Sequence, residues 1–209
     1  DEREFDYFIL ALQWAGTSCR SGGACCPYNG CCKADSPTQF TIHGLRPEYS
    51  GGERPSCCTG GSFDPDEIMP FFGKLVEYWP TYRCALEQSC NNRKEILWGQ
   101  QYEKHGTCAS PVIKGEWNYF KKTLKLFMKY NVDKALEDAG IVASNSKMYD
   151  LKDIVVAVES AVGARPKLRC DEEGLVQKLS LCFDKDFKPR DCVQVGSCPR
   201  YVSLPEIPD

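Results

Sequence analysis

The sequence predicts an α+β protein in which an antiparallel sheet packs against several helices. Three observations predict this class: a strand-like segment at 6–14, helix-like segments in the middle of the chain, and strand-like segments near its end, at 168–170, 176–184 and 201–204. Strands grouped apart from helices are typical of α+β proteins. With 209 residues, 42% of them hydrophobic, and no linker-like stretch, the chain is expected to form one domain over residues 1–209.

Turn-forming residues mark the limits of the first two predicted strands. A second strand is expected at 39–45, ending at Gly44 and Pro47. Between the two strands, residues 17–37 are rich in Cys, Gly and Pro. This segment is therefore expected to be irregular and cross-linked.

Caps and apolar periodicity indicate the helices. Asp64 and Pro65 are typical of a helix start, and Pro70 is expected to kink or restart that helix before its end near residues 79–80. Periodic segments predict four further helices. They lie at 93–107, 116–130, 133–139 and 151–162, with Gly140 and Gly163 as stops.

Fourteen cysteines indicate an oxidising compartment. Adjacent pairs such as Cys25-Cys26 and Cys31-Cys32 differ from the Cys-x-x-Cys and His spacing of zinc sites, so disulfides are favoured. A zinc cluster built from these four cysteines is the minor alternative. No metal and no other cofactor is therefore expected, and the protein is expected in the secretory pathway.

Charge and hydropathy argue against a globally basic, nucleic-acid-binding surface and against a membrane-spanning helix. The net charge of −3 provides no global basic field that would attract nucleic acid. Lysines at 121–129 alternate with apolar residues at a helical period, which favours a solvated helix face over an RNA-binding stripe. The longest apolar runs, such as residues 5–14, are far shorter than the roughly 20 residues of a membrane-spanning helix.

His43 and His105 are the only histidines, so they are the candidate residues for acid–base chemistry near neutral pH. On a helix, Gln100, Gln101, Lys104 and His105 would project over one side. With His43 across the same cleft, two imidazoles could flank a phosphodiester, one removing a proton and one supplying it. This chemistry suits RNA, whose 2′-hydroxyl is the nucleophile. Taken alone, each histidine is more simply explained as a structural residue held by hydrogen bonds.

Two segments resemble the active-site motifs of the ribonuclease T2 family. Residues 40–47, Phe-Thr-Ile-His-Gly-Leu-Arg-Pro, are similar to Phe-Thr-Ile-His-Gly-Leu-Trp-Pro, and residues 98–108 are similar to Trp-x-His-Glu-Trp-x-Lys-His-Gly-Thr-Cys. The similarity covers the whole chain and points to the plant S-like ribonucleases of the vacuolar class. It implies the ribonuclease T2 fold and metal-independent cleavage of RNA through a 2′,3′-cyclic phosphate.

The resemblance also implies residue roles. His105 would be the general base, His43 the general acid, and Lys104 would stabilise the phosphate charge. Gln100 and Gln101 stand where the family has His and Glu. Glutamine donates hydrogen bonds but carries no charge, and losing one such transition-state contact typically costs on the order of 10²–10³ in rate.

Two further positions concern the bases. Arg46 replaces a base-stacking Trp, and we favour a surface charge in an unused site over stacking on, or hydrogen bonding to, a base. Gln13 matches a residue that holds the second base in related plant enzymes. As a single polar residue, it is more simply explained by a structural role.

The favoured hypothesis is a plant S-like ribonuclease homologue with a defective catalytic site, serving as a storage or defence protein in the vacuole or outside the cell. A weak endonuclease using His43 and His105 is one alternative. The other is a non-catalytic RNA or nucleotide binder using Lys104, Arg46 and the glutamines. RNA or nucleotides are the expected ligands, no membrane or metal partner is expected, and the chain is expected to be monomeric.

The resemblance finally implies a set of disulfide bridges. The partners of Cys31, Cys32, Cys57 and Cys90 stay open, because connectivity does not follow from sequence. The implied pairs are Cys58–Cys108, Cys170–Cys198, Cys182–Cys192, Cys19–Cys25 and Cys26–Cys84.

Overall fold

An antiparallel sheet of five strands forms the centre of the computed structural model, which describes residues 4–32, 38–193 and 196–209. The strands are β1 (Tyr7–Trp14), β2 (Phe40–Glu48), β3 (Glu87–Gln88), β4 (Lys94–Glu95), β5 (Tyr149–Asp150), β6 (Lys167–Cys170), β7 (Val176–Phe183), β8 (Pro189–Arg190) and β9 (Tyr201–Val202). The helices are α1 (Ala15–Ser18), α2 (Pro65–Ile68), α3 (Phe72–Tyr78), α4 (Leu97–Lys104), α5 (Glu116–Lys129), α6 (Val132–Asp138) and α7 (Leu151–Val162). In the central sheet the order is β2-β1-β7-β6, and β8 pairs with β7. The α+β class with an antiparallel sheet is confirmed.

The helices cover one face of this sheet. Alternation along β1 directs Phe8, Leu10 and Leu12 to the same face, where all three are fully buried. They belong to one continuous core with residues of α5 and α7, such as Phe120 and Ile154. The opposite face, which carries the alternate residues of β1, borders two open clefts. A functional site on this sheet therefore has solvent access from one side.

β2 is longer than expected and runs through Gly44 and Pro47 to Glu48. The prediction that the strand ends at these two residues is wrong because β2 lies at the sheet edge, where a residue without an N–H is tolerated. The pairing register between β1 and β2 shifts at Ala11/Leu12, which leaves His43 as the additional residue of a bulge. Bulges re-aim side chains, and this one carries a candidate catalytic residue.

The helix start at Asp64 is confirmed, since its carboxylate accepts a hydrogen bond from the backbone N–H of Asp66 at 3.0 Å. Pro70 interrupts the helix as expected: α2 ends at Ile68, a 3₁₀ turn follows, and α3 begins at Phe72. α5, α6 and α7 lie within a residue or so of their predicted ranges.

The helix expected at 93–107 is shorter than predicted. It begins at Leu97, because Lys94 and Glu95 pair with β3 as strand β4. It ends at Lys104, and a 3₁₀ turn at 106–109 continues the chain. The strand expected at 201–204 is likewise limited to β9, which pairs with β5 outside the central sheet.

Seven disulfides bridge all fourteen cysteines. Four of the implied pairs are present, namely Cys26–Cys84, Cys58–Cys108, Cys170–Cys198 and Cys182–Cys192. The expected pair Cys19–Cys25 is wrong. Cys31 packs beside the buried Cys19 and bonds to it, while the neighbouring Cys32 bonds to Cys25. The remaining bridge is Cys57–Cys90.

The reason for the different pairing is the 3₁₀ turn at 30–32, which directs two adjacent cysteines to different partners. The segment expected to be irregular at 17–37 also contains the end of α1 and a 3₁₀ turn at 19–21. Its last part, residues 33–37, lies outside the described residues. The disulfides thus hold a segment with little regular structure.

Gly16 provides a test of the packing between α1 and the C-terminal segment. A Cβ at Gly16 would lie 1.7 Å from the carbonyl oxygen of Pro205, which accepts a hydrogen bond from Trp14 Nε1 at 2.8 Å. We expect Gly16→Ala to lower the free energy of unfolding by about 1–3 kcal/mol in urea denaturation. The control is Gly73→Ala in α3, because a Cβ at Gly73 would have no neighbouring atom within 4 Å. This substitution should leave the free energy of unfolding unchanged or raise it. Equal effects of the two substitutions would contradict this interpretation.

Candidate active site

The structure brings the two histidines together where the end of α4 meets β2. His43 projects from the β2 bulge, and its carbonyl accepts a hydrogen bond from Trp79 Nε1 at 3.1 Å. His105 follows the last residue of α4 and is 8% exposed. Gly44 permits the close approach, because a Cβ there would lie 2.1 Å from Oε1 of Gln101. Two motifs far apart in sequence thus form one site.

α4 is held firmly against the rest of the protein. Near its start, Trp98 Nε1 donates to the carbonyl of Trp79 at 2.7 Å. One turn later, the Tyr102 hydroxyl donates to a backbone carbonyl at 3.3 Å. Just beyond its end, the Cys58–Cys108 bridge ties the following 3₁₀ turn to a loop. These contacts position His105 relative to β2.

The two glutamines form a hydrogen-bonded chain in place of the ionisable pair. Arg46 Nε donates to Gln101 Oε1 at 3.4 Å, and Gln101 Nε2 donates to Gln100 Oε1 at 3.0 Å. Gln100 Nε2 then donates to Glu87 Oε2 at 2.7 Å. Gln101 is only 2% exposed, and Gln100 is drawn toward β3. The chain satisfies the amides among themselves and with Arg46 and Glu87.

Arg46 contacts His43 directly. Its Nη2 donates a hydrogen bond to Nδ1 of His43. A guanidinium has no acceptor atom, so this contact requires an unprotonated Nδ1. Arg46 is half-buried between His43 and Gln101, and the expectation of a surface charge is therefore wrong.

Burial and neighbouring cations disfavour protonation of both imidazoles. Burial, followed by the charges of Arg46 and Lys178, holds the pKa of His43 well below its ordinary value of 6.5. Burial, followed by the charges of Arg46, Arg54 and Lys104, lowers the pKa of His105 to about 3. A general acid must carry its proton, and a general base works best with a pKa near the working pH. Both pKa directions therefore bear on the roles that the family resemblance implies for the two histidines.

A cleft of about 860 Å³ opens on the uncovered sheet face and is lined by His43 and Gln13. Gln13 is buried in β1, where it stands opposite Lys178 of β7. The side chains expected to face one cleft do not all do so, since Gln101 and His105 are buried at the junction of α4 and β2. Lys104 is half-buried beside His105.

Lys178 and Arg169 carry no motif that would mark them as site residues from sequence alone. Register places Lys178 opposite both Gln13 and Arg169, so the three share one face of the sheet. Alternation along β7 identifies the residues of one face, but only the strand pairing places that face beside His43. These cations belong to the surroundings of the candidate site.

In the described ranges, no group of three or more His, Cys, Asp or Glu side chains could hold a metal ion. In the same ranges, no helix is both long and apolar enough to cross a membrane.

The fold and the two histidine-bearing motifs define a protein of the ribonuclease type. The model of the Ribonuclease T2 family matches residues 5–192, and the chain belongs to this family. Extracellular ribonuclease LE of Solanum lycopersicum is 34% identical over 188 residues, which cover 87% of this chain and 77% of that protein. Among solved structures, the RNase-related protein from Calystegia sepium superposes with a TM-score of 0.92 at 38% identity, covering 99% of this chain and all of that one. RNase NT in complex with 5′-AMP superposes with a TM-score of 0.80 at 31% identity, covering 98% of this chain and all of that one.

The depressed pKa of His105 predicts acid sensitivity. Between about pH 3 and 6.5 the unfolded chain binds a proton that the folded protein does not, so the contribution to stability is complete above 6.5 and is lost as the pH falls. We expect this contribution to be on the order of a few kcal/mol. This contribution is measured by urea denaturation of wild type and His105→Gln at several pH values. The carboxylates titrate in both proteins, so the difference between the two pH dependences isolates the effect of His105. Equal pH dependence of the two proteins would contradict the assigned pKa.

Proposed function

We propose that this protein retains the ribonuclease T2 scaffold but has a silenced reaction centre, and that it serves as a storage or defence protein. The observation that carries the proposal is the contact of Arg46 with His43 and Gln101. A cation fills the space beside the acid–base residue and stabilises its neutral form. The side chain expected to supply a proton to the leaving group is therefore held without the extra proton.

The substitutions on α4 support the same conclusion. Gln100 and Gln101 are bonded to each other and carry no charge with which to stabilise a transition state. His105 keeps its place, but its Nδ1 has no hydrogen-bond partner among the described residues and its pKa is about 3. A base of such low pKa accepts a proton from a ribose hydroxyl poorly. The site keeps its shape while losing its acid, its charges and an effective base.

The cross-linking supports a stable protein of an oxidising compartment. Seven bridges join segments separated by 7 to 58 positions in sequence. Such frameworks persist in secreted and lumenal proteins. We infer a vacuolar or extracellular location, in which a stable protein that no longer turns over RNA can accumulate.

The test compares wild type with His43→Gln/His105→Gln in cleavage of polyuridylate, followed from acid to neutral pH by release of the 2′,3′-cyclic phosphate. We expect both proteins to show the same background rate, because wild type has no histidine-dependent activity to lose. Cleavage by wild type that the double substitution abolishes would overturn the proposal in favour of a weak endonuclease. Circular dichroism of both proteins controls for folding.

A further inference from the structure

A second, smaller pocket of about 130 Å³ lies beside the candidate active site, on the same uncovered face of the sheet. Its lining includes small side chains from neighbouring strands, Ala11 of β1 and Ser180 of β7. Strand register places Ala11 directly opposite both Ser180 and Gly44. Three small residues in one row leave a hollow above the sheet.

Cations surround this hollow. Arg46, Arg54, Arg169 and Lys178 line it. Among the described residues that line it, Glu48 is the only carboxylate, and it is already bonded to Arg54 at 2.9 Å and is 3% exposed. Positive charge therefore exceeds negative charge within one small concave site.

The excess of positive charge acts most clearly on Lys178. No carboxylate of the described residues forms a salt bridge with it. Burial, followed by the charges of Arg46, Arg169 and Arg54, lowers the pKa of Lys178 to about 8. Glu87 acts in the opposite direction but is the smallest of these influences. A bound anion would relieve this repulsion.

We propose that this pocket binds a phosphate group, either as inorganic phosphate or as the phosphomonoester of a nucleotide. Guanidinium groups present several N–H donors in a planar fork that matches phosphate oxygens, and charge-assisted bonds of this kind are stronger than neutral ones. Arg46 stands where the family resemblance implies a base-stacking Trp, so a cation replaces an aromatic surface. Binding here needs no cleavage chemistry and goes beyond the proposed function.

The test is isothermal titration calorimetry of the whole protein at constant ionic strength with three probes: inorganic phosphate, 5′-AMP and adenosine. We expect inorganic phosphate and 5′-AMP to bind and adenosine not to bind. In Arg169→Gln/Lys178→Gln, the affinity for both phosphate-bearing probes should fall about tenfold or more, because two charge-assisted contacts are lost. Lys121→Gln/Lys125→Gln, on the exposed face of α5, removes the same net charge and should bind as wild type does.

The outcomes separate the sources of the phosphate and the competing explanations. Much tighter binding of 5′-AMP than of inorganic phosphate would assign the site to nucleotides, and equal affinities would assign it to the free anion. Equal weakening in both double variants would overturn the proposal, since it would show attraction by total charge. Absence of phosphate binding to wild type, or binding of adenosine as tight as that of 5′-AMP, would also overturn it.

Melting temperatures distinguish loss of the phosphate site from misfolding of the variant. Without phosphate, Arg169→Gln/Lys178→Gln should melt at the same temperature as wild type or higher, because repulsion between cations is removed. Phosphate should raise the melting temperature of wild type by mass action and that of the variant by much less. An equal rise in the two proteins would contradict a phosphate site at these residues.

Discussion

The triple substitution Arg46→Trp/Gln100→His/Gln101→Glu is expected to raise kcat/KM for RNA cleavage by about 10²–10³-fold or more over wild type. It removes the cation that contacts His43 and returns ionisable groups to α4. Without the guanidinium, the largest of the neighbouring positive charges that oppose protonation of His43 is gone. The measurement is the initial rate of cyclic phosphate release from polyuridylate.

The same substitutions should be strongly non-additive. In Gln100→His/Gln101→Glu, the new carboxylate would lie at the position where Gln101 Oε1 accepts from Arg46 and would pair with the guanidinium. The double substitution should therefore gain much less activity than the triple one. Residues that act as a unit commonly behave in this way.

Three results would count against this account. Full gain from Gln100→His/Gln101→Glu alone would show that Arg46 does not block the site. A gain in the triple variant that survives His105→Ala would show that the activity does not use the inferred base. Failure of the triple variant to gain any activity, while remaining folded by circular dichroism, would show that changes elsewhere disable the protein.

Removal of the Cys58–Cys108 bridge is expected to lower the free energy of unfolding by about 4 kcal/mol, because it closes a long loop of 50 positions. The bridge also ties the turn after α4 to a loop, so its loss should expose His105 and raise the pKa of that imidazole toward its ordinary value. Urea denaturation of Cys58→Ser/Cys108→Ser measures the first effect, and NMR titration the second.

Cys182→Ser/Cys192→Ser is the control for this bridge. It opens a shorter loop of 10 positions, so the expected loss is smaller, about 3 kcal/mol. This bridge joins β7 to the segment after β8 and includes no residue of α4 or of the turn that follows it. An equal change in the His105 pKa in both variants would contradict a positioning role for Cys58–Cys108.

Local chemistry predicted much of the fold. Asp64 caps α2 and Pro70 ends it, because both effects act within a turn of the residue. Pro47 predicts the end of a strand, but a proline is tolerated in β2 because this strand lies at the edge of the sheet. Position in the sheet depends on residues far away in sequence. The start of α4 was misplaced for the same reason, because β4 exists only by pairing with β3.

In the candidate site, too, some features follow from local sequence and others depend on residues far away in the chain. Histidine scarcity and motif resemblance identify His43 and His105 from sequence alone. The side-chain geometry of Arg46 does not follow from sequence, because its contact with His43 depends on the bulge in β2. Lys178 was not recognised for a related reason: its strand follows β2 by more than a hundred residues and is brought close only by sheet pairing.

The most direct test of a silenced reaction centre is NMR titration of the two histidine rings in wild type and in Arg46→Met. Because the chain contains only two histidines, each resonance can be assigned by a single substitution. We predict that both rings of wild type titrate below the ordinary histidine pKa of 6.5, and that Arg46→Met raises the pKa of His43. A wild-type His43 that protonates near its ordinary pKa of 6.5 would contradict the account.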